Sequence, residues 1–373
     1  MRKATLLVAF ALLSACGGGG GGPTTPPPAQ PTAFGLDFTI APALNGATEV
    51  EFRWSGSDAA SYRLEIGTSS GASDAATLDA GSATTFTWAR VPIGAFYARV
   101  KGLQGATVGA PSNEVVVGSI DARRMIDALV FGYGPLAVAG NAGRSLNSGI
   151  WQDRVLGWQP GSGFGVILGE SVPATHVAAA EKTVQQIGPA TRGAVTAGIA
   201  GRRPDPLQSP APGEVTLSLV GDEAALKTEC RCEQCVGCAR TFYLGSFAQR
   251  AQILLGPSAA ASTVAHELGH VIGLAHAISA AGVRPPFTMG VTTDGQFSPS
   301  GRLDTLDRAT TRMLETIYAA GFTAGTHRRQ FEAAGFVLPE GASAVPAASE
   351  RGSNARIEKQ VGLETVVLKP FCQ

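Results

Sequence analysis

Residues 266–276 read HELGHVIGLAH, a stretch that holds three of the chain's five histidines and constrains its fold more than any other. His266 and His270 stand four apart, so on a helix both project from one face and can share one metal ion. Ser262 and Thr263 are N-cap candidates, and Val264 to Leu274 reads as that helix. Gly273 permits a backbone bend that most residues resist. The bend brings His276 round as a third nitrogen ligand. Three neutral imidazoles leave a fourth position for water, the arrangement of a catalytic rather than a structural zinc ion. Glu267 cannot join the same coordination sphere; it stands where it can hold that water and act as general base.

The spacing H-E-x-x-H-x-x-G-x-x-H is the metzincin signature. Thirteen residues past His276, Met289 lies in Phe287-Thr288-Met289-Gly290, which resembles the methionine turn beneath the zinc of that clan. Phe297-Ser298-Pro299 follows, then LDTLDRATTRMLETIYAAG (303–321), with Leu306, Met313, Leu314 and Ile317 at helical spacing. This order is similar to the matrixin branch. Ala277 departs from the serine common there, and Val291 stands where astacins have tyrosine. The resemblance implies a zinc endopeptidase with a polypeptide substrate, one catalytic Zn2+, and an α+β domain with a mixed sheet. Calcium sites are common among matrixins, but no ligands for Ca2+ can be named here. Upstream, Val166–Leu168, Val215–Val220, Thr241–Leu244 and Ala251–Leu255 read as strands, and Ala174–Ile187 as a helix stopping at Gly188-Pro189. By order, residues 251–256 (AQILLG) match the edge strand that metzincins use to bind extended substrate.

Residues 33–118 alternate with period two. Phe52 and Trp54 interleave with Glu51 and Arg53, and Tyr62, Leu64 and Ile66 with Arg63 and Glu65. Glycine, serine and asparagine clusters separate such runs, as in a small antiparallel sandwich. FRWSG (52–56), SYRLEIG (61–67), FYARVKG (96–102) and APSNEVVV (110–117) resemble a fibronectin type III domain. The span contains no cysteine and no titratable cluster, which favours a spacer over a binding module. The fold class expected is therefore multidomain: an antiparallel β-sandwich, then an α+β metzincin-type domain over 119–330, then a loosely ordered extension over 331–373.

The first sixteen residues carry a basic start, an apolar run too short to span a bilayer, and Leu13-Ser14-Ala15-Cys16. This resembles a bacterial lipobox with Cys16 lipidated; a plain cleaved signal peptide is the alternative. Residues 17–32, rich in glycine and proline, form a tether. Gly17 after the cysteine resembles lipoproteins sorted to the outer membrane. The expected location is thus the cell envelope, held to the membrane through Cys16. Formal net charge is zero and no long basic run occurs, which argues against nucleic acid as a partner. Oligomeric state is not legible.

Cys230, Cys232, Cys235 and Cys238 form a cluster that admits two disulfides or a second metal; export favours two disulfides stabilising a loop near the active-site edge. Cys372 leaves an odd count and either pairs with the cluster or stays free. His176 and His327 read as surface or capping residues. A rival to the peptidase reading is a non-enzymatic surface adhesion or binding lipoprotein with an inactive zinc domain; the intact glutamate argues against it.

Overall fold

The computed structural model describes residues 35–372 except 43–47, 56–58, 92–94, 119–121, 132–136, 139–140, 143–153, 205–208, 232–234, 280–287, 293–302, 338–355 and 362–363. Cys16, the tether, Cys232, Phe287 and Phe297 lie outside the described residues. Among the described residues no helix is long and apolar enough to cross a membrane.

The alternating segment makes eight strands: β1 (Leu36–Pro42), β2 (Thr48–Trp54), β3 (Ser61–Gly67), β4 (Ala76–Gly81), β5 (Thr85–Val91), β6 (Ala95–Gln104), β7 (Thr107–Pro111) and β8 (Val115–Gly118). They form two antiparallel sheets, β1-β2-β5 and β4-β3-β6-β7, with β8 added on β6. The period-two residues are the buried ones: Val50, Phe52 and Trp54 on β2, Tyr62, Leu64 and Ile66 on β3, Ala98 and Val100 on β6. Edge-on aromatic pairs cross between the sheets, Trp54 with Tyr62 at 5.6 Å and Trp88 with Phe96 at 5.2 Å.

The rest of the chain runs α1 (Ala122–Phe131), β9 (Ala137–Val138), β10 (Asn141–Ala142), β11 (Gly157–Trp158), β12 (Ser162–Gly169), α2 (Ala174–Ala190), β13 (Val195–Arg203), β14 (Glu214–Leu219), α3 (Glu223–Cys230), β15 (Cys235–Leu244) and β16 (Phe247–Leu255). Then come α4 (Ala261–Val271), β17 (Ala277–Ser279), β18 (Gly290–Thr292), α5 (Arg308–Ala319), α6 (Arg328–Ala333), β19 (Arg356–Val361) and β20 (Glu364–Cys372). The main sheet has the order β13-β12-β14-β16-β15-β20-β19, with β11 added on β16. Its β13, β12, β14 and β16 are mutually parallel, and β15 and β20 are antiparallel to their neighbours. Helices α2 and α4 pack together on this sheet, α2 against β13 and α4 against β15 and β16.

Four expectations need correction. Residues 251–256 are not an edge: β16 lies inside the sheet, bonded to β14 on one side and β15 on the other. The helix expected to stop at Gly188-Pro189 continues to Ala190. The missing proline N–H falls in the last turn, where it affects only the carbonyl of exposed Gln185, and Thr191 closes the end through Ile187 O. Among the described residues the cysteine cluster is not a loop: Cys230 ends α3 while Cys235 and Cys238 belong to β15. Residues beyond 331 are not merely a loose extension. Phe331 is wholly buried and stacks on Phe322 at 4.1 Å, and β20 pairs along the whole of β15.

The sandwich also touches the second half. Strand β1 packs on α5, and Arg308 at the start of that helix donates to Glu51 on β2 at 2.7 Å.

Candidate metal centre

Helix α4 holds its ligands by burial on all sides: every residue from Ser262 to Val271 is buried. Ser262 and Thr263 do not cap it. The N-cap is Ala260, without a side-chain bond, and both hydroxyl residues sit inside the first turn. Packing against β15, not capping, fixes this start: a Cβ on Gly237 would come within 2.8 Å of Thr263 Cγ2.

The helix ends at Val271, and Gly273 turns the chain with φ +100°. A side chain there would fall on the carbonyl oxygen of Leu156 and 2.8 Å from its carbon. The bend is held from three directions. Trp158 Nε1 donates to Val271 O at 3.1 Å, Leu274 N donates back to Gly269 O at 3.0 Å, and Ala275 N donates to Leu129 O of α1 at 2.7 Å. His276 is thereby returned towards the helix.

The three imidazoles converge. His276 Nε2 lies 3.1 Å from His266 Nε2 and 3.0 Å from His270 Nε2, and all three rings are buried. Carbonyl oxygens set the tautomers: His266 Nδ1 donates to Thr288 O at 2.6 Å, and His270 Nδ1 to Leu274 O at 2.7 Å. A carbonyl can only accept, so each Nδ1 carries the proton and each Nε2 presents a lone pair to the centre. His276 Nε2 is within hydrogen-bond distance of both, so a cation at the centre would lie within reach of all three nitrogens. Ligands at about 2.0–2.1 Å from a tetrahedral ion are separated by about 3.3 Å, close to what these nitrogens show. The triad can therefore hold a metal ion. Glu267, next to His266 on the helix, is completely buried.

Met289 lies beneath the helix, fully buried, and explains Gly269: a Cβ on that glycine would collide with Met289 Sδ and lie 3.1 Å from its Cε. The turn before Met289 is fixed by Asp307, the N-cap of α5. Its carboxylate accepts from Thr288 N at 2.7 Å, Thr310 N at 2.8 Å and Thr310 Oγ1 at 2.6 Å, and its own N–H donates to Thr288 Oγ1 at 2.8 Å. Burial pushes the Asp307 carboxyl above its usual range, and the bonds from Thr310 and Thr288 pull it only part of the way back. A chain of contacts thus runs from α5 through Asp307 and Thr288 to His266.

Sequence reasoning missed Gly269, Leu156, Trp158 and Leu129, none of which carries a local signal for its role. Asp307 was visible only as part of the LDTLD that opens the quoted segment 303–321. His176 is buried rather than at the surface, its Nε2 2.9 Å from Ala259 O. His327 is a capping residue: its side chain accepts from Arg329 N at the start of α6. Cys230 and Cys238 form a disulfide that ties α3 to β15; Cys235 is also disulfide-bonded, and Cys372 stands opposite it in the β15–β20 ladder.

No family model and no curated protein matches this sequence. Among solved structures, an Fn3-like protein from Clostridium thermocellum matches 24% of this chain and 92% of its own, at 20% identity and a TM-score of 0.20. The pectate lyase PelI from Erwinia chrysanthemi, in complex with tetragalacturonic acid, matches 50% of this chain and 49% of its own, at 14% identity and a TM-score of 0.17. The chain thus has a distant Fn3-like neighbour and, in its second half, a mixed α/β region with a buried histidine triad.

Proposed function

We propose that this chain is a zinc-dependent endopeptidase of metzincin type, exported and anchored to a bacterial envelope through Cys16. The observation that carries the reading is the triad itself: three Nε2 atoms converge at 3.0–3.1 Å, and carbonyls fix the His266 and His270 tautomers for coordination. Nitrogen-only ligation in tetrahedral spacing suits zinc better than magnesium or calcium, which prefer oxygen. The H-E-x-x-H-x-x-G-x-x-H signature places a glutamate beside such a triad. The parallel strands with antiparallel β15 beside helix α4 also agree with the resemblance drawn from sequence.

A zinc ion held by His266, His270 and His276 would polarise a scissile carbonyl and make water acidic enough to attack at neutral pH. Glu267 then takes the proton from the attacking water and delivers it to the departing amine nitrogen. Its burial keeps competing solvent away from that carboxylate. Asp307 and Met289 hold His266 and the helix in place.

The test is hydrolysis of a mixed denatured-protein substrate by the chain starting at Ala33, beside its Glu267→Ala variant. Cleavage that a chelator abolishes and zinc restores, and that falls by about 10²–10⁴-fold in the variant while zinc binding persists, is the expected result. A zinc-loaded, folded protein that cleaves nothing, either with residues 349–373 in place or with them released, would sink the reading. Anchoring is checked separately, by loss of membrane association in Cys16→Ala.

A further inference from the structure

An isolated edge strand offers a row of unpaired N–H and C=O groups, a template for any extended peptide. In the sheet built by residues 157–255, one edge is β13 and the other is β15, since β16 is bonded on both sides. Of the two, β15 is the edge nearer the chemistry: α4, which carries His266 and His270, packs directly on it. Yet the edge is not open. Strand β20, from the far end of the chain, pairs antiparallel along it from Cys235 opposite Cys372 to Tyr243 opposite Thr365, and it too reaches α4.

Two features distinguish β20 from an ordinary sheet strand. Pro370, opposite Cys238, has no N–H to give, so the ladder is weakened near that end. The cysteines gather at the same end. Cys235 is disulfide-bonded, Cys230 and Cys238 are taken by each other, and Cys372 stands directly across the ladder from Cys235.

We propose that the C-terminal strand, latched through a Cys235–Cys372 disulfide, is the resident occupant of β15, the edge to which the peptidase reading gives extended substrate. The inference rests on the peptidase reading, and it adds a means of holding that activity down. A strand of the same chain competes at an effective concentration of the order of millimolar. A substrate at micromolar concentration therefore gains the edge only when the strand is released.

The test inserts a specific cleavage sequence between Ala348 and Ser349, in the full-length chain and in its Cys372→Ser variant, and cuts both. With native cysteines the terminal fragment stays with the body on non-reducing denaturing electrophoresis; in Cys372→Ser it separates. Gel filtration removes the fragment from the variant, and zinc content with far-ultraviolet circular dichroism shows the body still folded. A labelled peptide ETVVLKPFSQ, the terminal strand with serine for cysteine, then binds the stripped body and not the latched one. Hydrolysis of a peptide substrate rises by about ten-fold or more in the stripped body.

A fragment that leaves the native-cysteine body without reduction overturns the latch. A folded stripped body that neither binds the labelled strand nor cleaves faster than the latched one overturns the occupied edge, as does a body that unfolds once stripped, since the strand is then structural. Rebinding of the labelled strand with no chelator-sensitive hydrolysis in any form leaves the edge intact and defeats the peptidase reading alone.

Discussion

Replacing Gly273 by alanine separates two effects that the bend imposes. At φ +100° a side chain pays conformational strain of about 1–2 kcal/mol. In addition the new Cβ would fall on Leu156 O and 2.8 Å from Leu156 C, both backbone atoms that no rotamer change can move aside. Forced overpacking of this kind costs about 1–3 kcal/mol. Gly321, at φ +78° with nothing within 4 Å of a built Cβ, supplies the control, because it carries the strain without the clash. We expect Gly321→Ala to lose about 1–2 kcal/mol and Gly273→Ala about 2–5 kcal/mol, measured by urea unfolding of the metal-free proteins. Since His276 follows the bend by three residues, zinc affinity in Gly273→Ala should fall by about 10–100-fold in competition with a chromogenic chelator. Gly321→Ala should keep wild-type affinity. If the two variants lose the same stability within about 0.5 kcal/mol and both bind zinc normally, the Leu156 carbonyl does not set the bend and the reasoning fails.

Three more outcomes follow from the same contacts. Asp307→Ala removes the cap of α5 and leaves Thr288 N–H buried without its acceptor, so we expect a loss of about 2–4 kcal/mol and weaker zinc binding; unchanged affinity would detach Asp307 from His266. Gly269→Ala drives a methyl into Met289 and should cost about 1–3 kcal/mol in thermal unfolding, with part recovered by adding Met289→Ala; simple additivity of the two changes would contradict the contact. Burial opposes the charge on Glu65, but Lys101 and Arg99, each 2.9 Å away, outweigh it and hold the carboxyl below its usual range. That stabilisation is present above the unfolded pKa of about 4.3 and is lost as pH falls through the folded value. The stability gap between wild type and Glu65→Gln should therefore close on acidification, and a gap that is equal at pH 7 and pH 3 would refute the pairing.

What the sequence determined by itself was local. The alternation of Phe52, Trp54, Tyr62, Leu64 and Ile66 with charged residues dictated which faces of the sandwich are buried, because successive side chains in a strand point to opposite sides. The i, i+4 spacing of His266 and His270 put both on one helix face for the same kind of reason, and Gly273 marked the bend. Tertiary structure decided everything that depends on distant partners. Strand order could not be read from a run such as AQILLG, since an interior and an edge strand can have the same composition; only the arrival of β15 and β20 on its far side settles its place. The cap candidates Ser262 and Thr263 lost to packing against Gly237, and the orientation of His266 came from Thr288, itself held by Asp307 across 19 residues of chain. Spacing along the chain names the ligands; the carbonyls and glycines that aim them are brought together only when the chain has folded.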